Sequence, residues 1–195
     1  MNPKLRLASA SPRRRELIKL LGLPYDCISS NSAEISFSSD PADKASEIAF
    51  EKANASLKTK PLEEGEIIIG ADTIVVLENE IFGKPKDRED AERMLRLLSG
   101  KKHTVYTGVA LLYLKNGYVV NETFTVGTEV YVNSLTEAEI SAYLDIGEYV
   151  DKAGAYAIQG PFSRHIRKID GDYNNVVGFP VSAIYAKITE IINDL

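Results

Sequence analysis

The chain has 195 residues, 44% of them hydrophobic and 26% charged, with a formal charge of −5. That balance excludes wholesale disorder and a surface devoted to nucleic acid; no apolar run reaches the roughly 18 residues of a membrane-spanning helix. The one cysteine, Cys27, has no partner for an internal disulfide and reads as a small apolar side chain beside Ile28.

The first residues carry Lys4 and Arg6 but no continuous apolar segment of the secretory kind, so a cytoplasmic protein of one domain over residues 1–195 is expected. Leu5 to Ala8 reads as a short strand. Ser11-Pro12 then opens a helix, with Ser at the N-cap and Pro at the first helical position, ended by Gly22. A second strand covers Tyr25 to Ser29. Asp40-Pro41 starts a longer helix to about Lys58, with Ala45, Ile48, Ala49 and Ala53 inward and Lys52 near that face. Ile67 to Ala71 is continuously apolar, as in a central strand covered on both sides. Val75 to Leu77 and Ile81-Phe82 flank a hairpin turn, and Asp87 caps a helix that Gly100 ends. His103 to Leu114 and Tyr118 to Val132 are two long strands joined at Asn116-Gly117. Thr136 with Glu139 forms a capping box, His165 to Ile169 a further strand, and Pro180 opens a final amphipathic helix. This order predicts an α/β fold with a mixed sheet between helices.

Four segments have the chemistry of a site. Ser9-Ala10-Ser11-Pro12-Arg13-Arg14-Arg15 is a strand-to-helix turn ending in three arginines, which suits an anion or a solvated first turn equally. Asp72 of Gly70-Ala71-Asp72-Thr73 falls just past the buried strand, where a carboxylate binds Mg²⁺, serves as a base, or simply caps the strand exit. Gly83-Lys84-Pro85 sets a point charge on a turn, and no phosphate-binding GxxxxGK[ST] pattern is present. Gln159-Gly160-Pro161 offers an amide that both donates to and accepts from a base edge. Arg164, Arg167 and Lys168 read as surface charge, and His103 and His165 lack the Cys partners of a structural zinc site. Glu34 and Lys52 stand as isolated charges on elements able to converge on such a site.

Together these blocks resemble the Maf family of nucleoside triphosphate pyrophosphatases. The resemblance runs in family order from Leu7-Ala8-Ser9-Ala10-Ser11-Pro12-Arg13-Arg14 through Glu51-Lys52-Ala53, Gly70-Ala71-Asp72-Thr73, Gly83-Lys84-Pro85 and Leu98-Ser99-Gly100. It continues through Asp151-Lys152-Ala153-Gly154 and Gln159-Gly160 to Asn175-Val176-Val177-Gly178-Phe179-Pro180. It implies an elongated mixed sheet flanked by helices, related to the inosine-triphosphate pyrophosphatase fold, in a cytoplasmic homodimer. It also implies cleavage of a nucleoside triphosphate to monophosphate and pyrophosphate with Mg²⁺ or Mn²⁺, with no nucleic-acid or membrane partner.

By the same resemblance, Asp72 is the catalytic carboxylate and Arg13, Thr73 and Gln159 govern substrate choice. The phosphate tail would lie on Ser9, Arg13, Arg14, Lys52 and Lys84, and the metal on Asp72 with Glu34. Ser-Pro-Arg-Arg, Asp72-Thr73 and Ile158-Gln159-Gly160 resemble the dTTP/UTP branch. The alternatives are a 7-methyl-GTP pyrophosphatase and a non-catalytic nucleotide-binding regulator of cell division. Ala10 stands where many members carry Gly, and Ser163 to Arg167 is more basic than the family pattern.

Overall fold

The computed structural model describes residues 3–28 and 35–194. Its elements are β1 (Lys4–Leu7), α1 (Pro12–Ile18), β2 (Tyr25–Cys27), α2 (Pro41–Thr59), β3 (Glu66–Leu77), β4 (Glu80–Phe82) and α3 (Arg88–Leu98). There follow β5 (Lys102–Lys115), β6 (Tyr118–Val132), α4 (Glu137–Ile146), β7 (Ile166–Asp170), α5 (Tyr173–Val177) and α6 (Val181–Asp194). Seven strands form one mixed sheet in the order β2-β1-β3-β5-β6-β7, with β4 paired to β3. β1 runs parallel to both β2 and β3, whereas β3 with β4 and β6 with β7 are antiparallel. The α/β class with a mixed sheet flanked by helices is therefore what the chain forms.

Local chemistry accounts for the boundaries. Asp40 accepts the N–H groups of Ala42 and Asp43, Asp87 accepts that of Asp90, and Thr136 with Glu139 closes the capping box. Asn116 and Gly117 both take positive φ, at 53° and 79°, the tight turn that joins β5 to β6. Two expectations shift. The Ser11 hydroxyl makes no capping bond; instead its own N–H is taken by the Ser9 hydroxyl at 3.1 Å. And β3 does not stop at Ala71: Thr73 to Leu77 extend it as a mostly β-branched run, so Asp72 lies within a strand rather than past its end.

The chain gathers into two compact units: Met1–Asp72, Thr107–Val126 and Gly178–Leu195 in the first, Thr73–Tyr106 and Gly127–Val177 in the second. In the first, α2 lies on the sheet with Ala45, Ile48, Ala49 and Ala53 buried. The close approach is possible because β3 and β5 present Gly70 and Gly108 to it. A Cβ on Gly70 would stand 2.1 Å from the Ala49 carbonyl oxygen, and one on Gly108 2.3 Å from that of Ala45. Ala8, Ile68, Ala110 and Leu112 complete this layer.

The second unit packs α3 beside α4, with Arg88 bonded to Asp145 at 2.7 Å and Arg96 to Glu137 at 2.7 Å on the surface. Its interior is aromatic: Phe162 lies 5.0 Å from Tyr143, 4.9 Å from Tyr156 and 5.5 Å from His165, measured between ring centres.

Candidate functional site

Parallel register builds the first half of the site. Leu7 is paired with Ile69, and the Ala8 N–H donates to the Ile69 carbonyl at 2.9 Å. Ser9 follows two residues after Leu7, where β1 has ended, and opens the turn that carries Arg13 and Arg14 into α1. Ser9 is buried, while Arg13 and Arg14 are half-buried. Arg14 donates from Nε to the Gly178 carbonyl at 2.8 Å, which fixes α1 to the turn ahead of α6.

Asp72 shares a face of β3 with Gly70, two residues earlier, and that face meets α2. Because Gly70 lets the helix down onto the strand, Lys52, one turn beyond Ile48 and Ala49 on the buried stripe, reaches the carboxylate. Its Nζ donates to Asp72 Oδ1 at 2.5 Å. The pair is largely but not wholly enclosed, with side chains 14% and 12% exposed. A largely enclosed carboxylate needs a charged or hydrogen-bonding partner to offset its lost hydration, and Lys52 supplies one.

The remaining candidates belong to the second unit. Thr73 follows Asp72 on β3, and Lys84 is an exposed side chain on the turn after β4. The Gly83 carbonyl accepts the Gly154 N–H at 3.1 Å, tying the Gly83-Lys84-Pro85 turn to the Asp151–Gly154 segment. Gln159 is exposed and borders an open surface hollow of about 450 Å³ with Ser163, Arg167, Lys168 and Tyr173. Glu34, expected as a metal ligand, lies outside the described residues. Among the described residues no group of three or more His, Cys, Asp or Glu side chains gathers as a metal cage. None of their helices is long and apolar enough to cross a membrane.

Three contributors escaped the sequence reading. Gly70 was legible only as part of a motif, and its role as the gap that admits α2 needed the packing. Gly178, whose carbonyl holds Arg14, is remote in sequence and acts through its backbone. His103 read only as a poor zinc ligand, yet its Nε2 lies 2.7 Å from the Tyr156 hydroxyl in a buried contact.

Residues 4–191 match the family model described as Maf-like protein. The chain belongs to the Maf-like family. Among the curated relatives of this Maf-like chain, a Thermoanaerobacter sp. protein is 47% identical over 182 residues, covering 93% of each sequence. A protein of Bacillus anthracis is 44% identical over 193 residues, covering 98% of this chain and 97% of its own. One of Agathobacter rectalis is 43% identical over 199 residues, covering 95% and 96% respectively. All three are named dTTP/UTP pyrophosphatase.

Proposed function

We propose that this chain hydrolyses dTTP and UTP to the monophosphate and pyrophosphate, removing these triphosphates from the nucleotide pool. Relatives of that name, aligned over nearly the whole chain, support the reading. The observation that carries it on the molecule is the Lys52–Asp72 pair, an anchored carboxylate in the same compact unit as the arginine-bearing turn.

The physical need of the reaction is to place positive charge on a polyanion and to hold a water in line with phosphorus. In the first unit, Ser9, Arg13 and Arg14 supply donors for the phosphate tail, with arginine suited to its paired oxygens. The hydrogen bond from Lys52 limits the rotation of the Asp72 carboxylate, so that it meets the attacking water, or the cation, in one orientation. Asp72 is the described residue that would hold Mg²⁺ or Mn²⁺, with Glu34 the second ligand that the motifs imply. When bound, such a cation offsets the charge that builds up on the departing pyrophosphate. Lys84 for the phosphates, Thr73 and Gln159 for the base, and the cytoplasmic homodimer rest on the resemblance of the motifs.

The deciding experiment is a panel of nucleoside triphosphates, including 7-methyl-GTP, incubated with the purified chain with and without Mg²⁺ or Mn²⁺. Products are resolved by chromatography. Monophosphate and pyrophosphate from dTTP and UTP, formed only with the cation, are expected. Diphosphate and phosphate would overturn the assigned bond. A preference for 7-methyl-GTP would move the chain to that branch, and binding without turnover would make it a regulator.

A further inference from the structure

The segment that presents Gln159 is held from below at two places, both within the second unit. On its N-terminal side, the Tyr156 ring is buried against Phe162 and His103, at 4.9 and 5.4 Å between ring centres. The Tyr156 hydroxyl meets His103 Nε2 at 2.7 Å. On its C-terminal side Gly160 lies against Glu148: a Cβ there would fall 1.5 Å from the carboxylate oxygen, so a larger residue would have to displace the Glu148 side chain. Glu148 is itself steadied by the Tyr143 hydroxyl at 3.0 Å. Just ahead of the Tyr156 anchor, Ala155 adopts a left-handed φ of 61° next to Gly154 at 68°. A non-glycine residue holds that backbone only where its surroundings enforce it.

His103 is an unusual choice for the anchor. It is 2% exposed, and its Nδ1 is buried with no hydrogen-bond partner. Whichever tautomer it adopts, one ring nitrogen goes unsatisfied, so a phenylalanine in the same space would suit packing better. What histidine adds is the bond to Tyr156.

We infer that His103 is a positioning residue for substrate choice: through Tyr156 it fixes the segment that presents Gln159 to the base. This rests on the reading of Gln159 given above. His103→Phe and Tyr156→Phe each delete the bond while keeping a ring in place, and His103→Gln restores a polar partner for Tyr156.

With the full-length chain, kcat and KM are measured for dTTP, UTP and dGTP, and amide hydrogen exchange is followed over residues 152–160. In both Phe variants KM for dTTP should rise about three- to tenfold, the scale of one lost neutral hydrogen bond, with kcat held within about twofold. The preference for dTTP over dGTP should fall by a similar factor, exchange at Gly154 and Ala155 should quicken, and His103→Gln should recover KM. Adding His103→Phe to Gln159→Ala should cause no further loss, since His103 acts through Gln159; an additive loss would overturn the inference. So would unchanged KM and preference in both Phe variants, or unchanged exchange. A wild-type chain that turned over neither dTTP nor UTP would instead defeat the functional reading, and faster exchange in the Phe variants would still support the anchoring.

Discussion

Glu66 and Asp72 project from the same face of β3, and each is paired with a cation, but their surroundings differ. Glu66 takes Arg6 through two hydrogen bonds, and the same guanidinium donates to the carbonyls of Lys60 at 2.6 Å and Pro61 at 3.0 Å. Both side chains are sealed, 0% and 3% exposed. Asp72 accepts a hydrogen bond from Lys52, and both members keep a small opening to solvent, at 12% and 14%. A pair enclosed on all sides and saturated with partners serves the fold. One with an opening left over can exchange part of its neighbours for a ligand. The presence of an ion pair alone does not distinguish the two surroundings; the remaining access to solvent does.

Substitutions can break this comparison from either end. Asp72→Asn should lower kcat on dTTP by about 10²- to 10⁴-fold, the usual worth of a positioned acid–base group, and leave the urea midpoint close to wild type. A large loss of stability instead would place Asp72 with Glu66 as a structural carboxylate. Arg6→Met should do the reverse: about 3–5 kcal/mol of stability lost in urea titration, because Glu66 stays buried without its cation, with kcat of the folded fraction retained. Gly70→Ala should combine the two. Its methyl strikes the Ala49 carbonyl and lifts α2, so about 3 kcal/mol of stability and much of the turnover should fall together.

A buried polar group in the second unit sharpens the contrast through pH. Burial pushes the His103 pKa down from 6.5 to about 4. The folded chain thus binds this proton less readily than the unfolded chain does, so the neutral form stabilises the fold above pH 6.5 and the benefit is lost as pH falls toward 4. About 2 kcal/mol should disappear between pH 7 and 5, and His103→Gln should abolish that part of the acid sensitivity in melts across this range. Equal acid sensitivity in the variant would show that the loss originates elsewhere.

Much of this arrangement is legible in the residues themselves. Caps at Asp40, Asp87 and Thr136, the Asn116-Gly117 turn and the alanine stripe of α2 each follow from local chemistry, and the structure keeps all of them. The boundary read after Ala71 was misplaced because Asp72 looked like punctuation; it is tolerated inside β3 because Lys52 neutralises it across the helix–strand contact. Pairings of that kind join residues distant in sequence, and no window of neighbours reveals them. Arg6 was passed over for the same reason, since its carboxylate partner arrives only with β3.

The contact between Arg14 and Gly178 spans 164 positions, and the pairing of β1 with β3 is also remote in sequence. Such closures are slow to find in a growing polypeptide. On the ribosome, the arginine turn would therefore wait for almost the entire chain to be synthesised before its peg exists. A nascent chain released before Gly178 would lack that constraint however well β1, α2 and β3 had already assembled.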